Sequence, residues 1–165
     1  GYRFFIDHLI KEAPLASRQR SRIKEIFDEE DENEFSKELA DFASEHTSNL
    51  TLCGFKKNMH KKGFSEILGE PEFGSHKMII DLGRLLDRLD NEMQYFMKDL
   101  SESREAVFVG EENPFEEGRG LSMIVTEWNH PEGFSGFLVL IGPKRMDYQK
   151  NLSFMRELHR GHPTT

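Results

Sequence analysis

Apolar residues recur at helical spacing in several separate stretches of this chain. Tyr2, Phe5, Ile6, Leu9 and Ile10 mark an opening helix that Pro14 ends, and Ile23, Ile26 and Phe27 mark a second, shorter one. Phe35, Leu39, Phe42 and Ala43 form a third stripe, which SEHTSN, Ser44 to Asn49, breaks. The acidic run Asp28 to Glu34 before it reads as a hinge or an exposed turn. In the longest stripe, Met78, Leu82, Leu85, Leu86, Leu89, Met93, Phe96 and Met97 fall on one face, and Ser75 stands before it as a credible N-cap. Its methionines read as core filler. Tyr148, Leu152, Met155 and Leu158 make a closing helix.

Strand signals lie between the helices, at Leu50 to Phe55, Ala106 to Gly110, Leu121 to Trp128 and Ser135 to Ile141. The last two are joined by NHPEGF, whose turn formers suit a hairpin. Gly54, Gly63, Gly69 and Pro71 punctuate the stretch after the first strand, which predicts loop with at most a helical turn at Phe64 to Leu68. The order helix, strand, helix, three strands, helix predicts the α+β class, a small antiparallel sheet covered by helices on one face. A length of 165 residues suits one compact domain. We expect a helical linker and dimerisation segment over 1–34, a globular domain over 35–158 and a disordered tail over 159–165.

The formal net charge of −8 should repel nucleic acid on average, because affinity for phosphates comes from Lys and Arg. Two basic clusters, Ser17 to Lys24 and Lys56 to Lys62, lie close to acidic runs and read as solvated faces. There is no apolar run of bilayer-spanning length and no signal-peptide pattern, which points to the cytoplasm and away from membranes. The single cysteine, Cys53, cannot form an internal disulfide and suits a reducing compartment.

Catalytic and metal chemistry find no team of residues. Glu111, Glu112, Glu116 and Glu117 lack the ligand spacing of a calcium loop. His159 and His162 have no nearby Cys, and H-E-x-x-H, C-x-x-C and G-x-S-x-G do not occur. No enzyme activity, metal or cofactor is expected. Phe64, Phe73 and Phe115 sit in loops, some to pack on the core and one or two to meet a partner.

Two stretches carry more information: VFVGEENPF, Val107 to Phe115, and LIGPKRMDY, Leu140 to Tyr148. Each joins an apolar strand to a specific polar turn. If both strands neighbour Leu121 to Trp128, antiparallel pairing makes them run the same way, and their exit turns emerge at one end of the sheet. Glu112 and Asn113 then approach Arg145 and Asp147, and a bidentate Arg145–Glu112 pair is expected. Gly142 and Pro143 stop the strand and aim Arg145. The residues expected to shape this site or an interface are Gly110, Glu112, Asn113, Gly142, Pro143, Arg145, Met146 and Tyr148.

These two turns resemble the signature of the HrcA-type heat-inducible transcription repressors, an I-G-x-E-N-like turn and a later G-P-T-R-M-x-Y. GYRFFIDHL at the start looks like the helix that follows that family's DNA-binding winged helix, and LGEPEF, Leu68 to Phe73, looks like its L-x-x-P-E-F segment. The resemblance implies a GAF/PAS-like regulatory and dimerisation domain of a negative regulator of chaperone genes. It also implies a homodimer, operator DNA bound only through a winged helix preceding Gly1, and a chaperonin as modulator. Between Gly54 and Leu68 the family carries further strands and an inserted dimerisation region, and this chain is a shortened version. The opening helix and the exposed flank of the long helix are then the surfaces left for dimerisation. The alternative reading is a GAF-like sensory domain with a small molecule between sheet and helices.

Overall fold

A computed structural model describes residues 1–55, 58–100 and 105–161. The helices are α1 (Tyr2–Phe4), continued by a π-helical segment (Phe5–Leu9), α2 (Ser17–Phe27), α3 (Glu32–Thr47), α4 (Phe64–Leu68), α5 (His76–Asp99) and α6 (Tyr148–Gly161). The strands are β1 (Leu50–Phe55), β2 (Asn58–Lys62), β3 (Glu105–Val109), β4 (Ser122–Asn129) and β5 (Ser135–Gly142). They form one sheet in the order β2-β1-β5-β4-β3, every neighbouring pair antiparallel. This is the α+β architecture, a small antiparallel sheet covered by helices, expected from the order of elements.

Helices cover both faces of the sheet, which corrects the expectation of one. Phe137, Val139 and Ile141 of β5 join Leu52, Met123 and Val125 in a cluster with Leu82, Leu85 and Leu89 of α5. The alternate residues, Leu138 and Leu140, join Cys53, Ile124 and Trp128 in a second cluster with α2, α3 and α6. Successive side chains on a strand point to opposite faces, so a strand apolar at every position needs cover on both. The run FLVLI in β5 carries that instruction.

Residues before 35 pack into the same core. Ile6, Leu15, Ile23, Ile26 and Phe27 belong to the cluster that contains Leu138 and Leu140. Phe27, Phe35, Trp128 and Phe134 form an aromatic group there, with Phe35 4.7 Å from Trp128 edge to face and 4.9 Å from Phe27. The Trp128 indole donates to the Phe137 carbonyl at 2.9 Å, so its polar atom is satisfied in the core. Phe73 and Phe115 are buried as well, whereas Phe64 stays exposed. Burial pushes the Cys53 thiol far up, which suits packing and not reaction.

The helix ends follow local chemistry. Ser75 Oγ accepts from Met78 N at 3.1 Å and starts α5. Asp31, inside the acidic run, accepts from Glu34 N at 2.9 Å and starts α3, with Glu32 and Glu34 in the first turn at the positive end of the helix dipole. The run is therefore largely a helix start.

Strand β2 was expected as loop, and the reason lies in Gly54. A Cβ there would lie 2.1 Å from the Asn58 carbonyl oxygen, so this glycine permits two backbones to approach within a strand pair instead of breaking the strand. Apart from Met59 the partner residues are polar, as an edge strand tolerates. At the other end, α6 extends through Gly161, so the tail does not begin at His159. Residues 162–165 lie outside the described residues, as do Lys56 and Lys57 of the second basic cluster. Among the described residues no helix is long and apolar enough to cross a membrane.

Truncation of Leu85, fully buried under the sheet, to Ala should cost about 2–5 kcal/mol in urea unfolding. Ser75→Ala should cost about 1 kcal/mol through loss of the cap.

Candidate functional site

The register of β4 brings the two turns together. Ser122 pairs with Val109 of β3 and with Gly142 of β5, so both strands run the same way and leave the sheet side by side. Gly110 has φ +58°, in the left-handed region, and begins a 3-10 turn, Gly110–Glu112. A Cβ on Gly110 would lie 3.0 Å from Lys144 Cε in the second turn. The sequence-predicted meeting of the two exits is what the sheet produces.

Asn113, buried, accepts from Phe115 N at 2.9 Å through its Oδ1, and its carbonyl accepts from Arg119 Nε at 3.3 Å. It shapes the loop that drops Phe115 into the core. In the second turn, the carbonyl of Pro143 accepts from Met146 N at 2.9 Å, and buried Met146 receives Asn151 Nδ2 on its sulfur at 3.3 Å. Gly142 ends β5 beside Asn49, whose Oδ1 would lie 2.4 Å from a Cβ at that position. Asp147 Oδ1 accepts from Lys150 N at 3.0 Å, capping α6. Tyr148 shares a 2.7 Å hydrogen bond with Ser122 Oγ and donates to the Lys144 carbonyl. Burial raises its phenol above the ordinary range.

The partners of the two charged residues differ from expectation. Arg145 does not pair with Glu112. Its Nε and Nη2 donate to the Glu72 carboxylate at 3.1 and 3.0 Å, and Nη2 also reaches Glu70 at 2.5 Å. Glu70 and Glu72 flank Pro71 at the start of a 3-10 turn, Pro71–Gly74, which sets them against the second exit. The bidentate geometry was foreseen and the partner was not.

Glu112 instead binds the opening helix. Arg3 Nε donates to its Oε2 at 3.1 Å and Arg3 Nη2 to its Oε1 at 2.6 Å, a fork-to-fork contact. The same Nη2 donates to the Val107 carbonyl, Nη1 reaches Asp7 at 3.2 Å, and Val109 N donates to Glu112 Oε1 at 2.9 Å. The Tyr2 ring lies 5.5 Å from the Tyr148 ring. One residue of the opening helix thus touches the first turn and its neighbour touches the second. Arg3 hydrogen bonds hold the Glu112 carboxyl below the usual carboxylate range, and Glu112 raises the Arg3 guanidinium further.

Chemically this is a dock. Glu112 is neutralised by a cation and Asp147 serves a helix end, so neither is poised as an acid, base or nucleophile. The opening helix containing Tyr2 and Arg3 and the segment LGEPEF containing Glu70 and Glu72 stand out in the sequence, but nothing there assigns these four residues to the two turns. Their signal was a lone arginine in an apolar helix and two carboxylates astride a proline, both far in sequence from what they bind.

A family profile described as "HrcA protein C terminal domain" matches residues 3–152. The chain is similar to a heat-inducible transcription repressor HrcA of Thermoanaerobacter pseudethanolicus, 31% identical over 155 residues that cover 90% of this chain and 43% of that protein. It is also similar to one of Thermodesulfovibrio yellowstonii, 29% identical over 110 residues covering 64% of this chain and 31% of that protein. The chain spans less than half the length of these curated relatives. A solved structure described as a hypothetical protein aligns with a TM-score of 0.49 at 19% identity, over 62% of this chain and 30% of that one.

Because the native state lowers the Glu112 pKa, the pair's contribution is complete above the ordinary carboxylate range and is lost as pH falls through the native value. The stability gap between the wild type and Glu112→Gln should therefore shrink on acidification in parallel denaturant titrations. Since the pair is exposed at 40% and 39%, that gap should be about 1 kcal/mol or less at neutral pH. Gly110→Ala should cost about 1–2 kcal/mol, from the left-handed backbone alone.

Proposed function

The chain belongs to the HrcA C-terminal domain family, a family of heat-inducible transcription repressors and not of enzymes, and from that premise we propose that it is the regulatory and dimerising part of such a repressor. DNA binding falls to a winged helix joined ahead of the opening helix. The observation that carries this reading is the docking of that helix on both signature turns, through Arg3 to Glu112 and Tyr2 to Tyr148. A DNA-binding domain attached there inherits a set orientation relative to the sheet. The excess of acidic charge keeps the domain itself off the duplex.

A homodimer suits this role, since two-fold protein symmetry matches an inverted-repeat operator. Phe4 and Leu9 of the opening segment are 57% and 58% exposed, and Ile79 and Ile80 lie exposed on α5, which supports these two surfaces as the contact. An exposed ion pair is a weak fastening. Its release on heating frees the opening helix and the DNA-binding domain from their fixed geometry, and a chaperonin that restores the docked form sets the level of active repressor.

Fluorescence anisotropy of a labelled inverted-repeat operator at fixed salt tests the reading. The polypeptide extended through the winged helix should bind specifically and this chain alone should not. In the longer protein, Glu112→Gln should weaken operator binding several-fold while circular dichroism stays unchanged. Absence of specific binding by the longer wild type would contradict the repressor role, and unchanged affinity in the variant would contradict the part given to the dock.

A further inference from the structure

A cleft of about 780 Å³ opens between α2 and α3, away from the signature turns, and it is lined among others by Arg18, Gln19, Arg22, Phe42, Glu45 and His46. Its size falls in the range of small-molecule sites, about 300–1,000 Å³. It lies between two helices, whereas the sequence pointed to a pocket between sheet and helices.

Three features of the lining point to one kind of occupant. Arg18 and Arg22, one turn apart on α2, place two guanidiniums on its α2 side, with Glu25 and Glu45 also in the lining. Arg18 makes no ion pair among the described residues, and Arg22 meets only Glu25 at 3.3 Å in an exposed pair that an anion can displace. The first turn of α2 carries neither an acidic residue nor a side-chain cap, so the positive end of the helix dipole adds to the same charge.

The second feature is a pair of stacked aromatic rings in the lining. The Phe42 and His46 rings stack with centroids 6.0 Å apart at 23°, and Phe154 backs His46 at 5.2 Å. Burial, helped by Lys150, lowers the His46 pKa below the ordinary imidazole range.

The third feature is unmet hydrogen bonding. Gln19 Oε1 and His46 Nε2 are both buried without a partner, and both residues line this cleft. Buried polar atoms in a native protein are almost always paired, so two orphans at one cleft call for something that pairs them. Gln19 Oε1 can only accept, and Glu45 elsewhere in the lining offers further acceptors, so the occupant brings N–H donors as well as negative charge.

We infer that this cleft binds an aminopurine nucleotide, with the phosphate on Arg18 and Arg22, the ring against Phe42 and His46, and the exocyclic amino group on Gln19. The inference goes beyond the repressor reading and does not depend on it. In calorimetric titration of this chain, adenosine monophosphate should bind saturably and more tightly than inosine monophosphate, adenosine or inorganic phosphate. The double variant Arg18→Ala with Arg22→Ala, both at exposed positions, should keep its circular dichroism and lose at least about tenfold in that affinity. Absence of saturable binding by adenosine monophosphate at millimolar concentration would overturn the proposal. So would equal affinity for inorganic phosphate, which leaves only anion attraction, or binding of duplex DNA without the nucleotide, which makes α2 a basic strip for nucleic acid.

Discussion

The pairing of Ser122 with Val109 on one side and Gly142 on the other governs the arrangement of this molecule. A strand placed between two antiparallel neighbours makes those neighbours parallel to each other, so their exits emerge together. The two signature turns are therefore neighbours by sheet geometry before any side chain acts. Tyr148 then ties the start of α6 back to Ser122, and Glu112 closes its turn through Val109 N. What remains outward is a carboxylate and an aromatic ring, and the opening helix meets both.

Strong and weak forces divide the labour. The sheet is held by two apolar clusters, one on each face, and β5 contributes alternate side chains to both. Each large residue there carries a few kcal/mol of burial. The opening helix has much less: Ile6 is its buried anchor, with Phe4 and Leu9 left in solvent, and its polar fastening is half exposed. Local stability in a protein follows such contact density, so the segment is suited to detach while the sheet stays intact.

Much of this was legible in the sequence because its cause is local or periodic. The stripe from Met78 to Met97, the Ser75 cap, β1, and the convergence of the two exits all follow from spacing and strand direction. The errors share a different cause. Gly54 reads as a break until the Asn58 backbone is seen against it, and the polar edge strand β2 has no apolar alternation to betray it. The two faces of the sheet were implicit in FLVLI, where the continuous run outweighs the count of helices. Charged partners were the least legible. Arg3 and Glu112 are 109 residues apart and Arg145 and Glu72 are 73 apart, and charge complementarity alone cannot choose among several nearby carboxylates.

Amide hydrogen exchange across the opening helix, compared between the wild type and Glu112→Gln, is the most direct measure of the dock. Protection at Ile6 to Ile10 should fall by up to about fivefold in the variant while α5 and β5 keep theirs. Equal protection of the opening helix in both proteins, or loss spread evenly over the whole molecule, would contradict the dock.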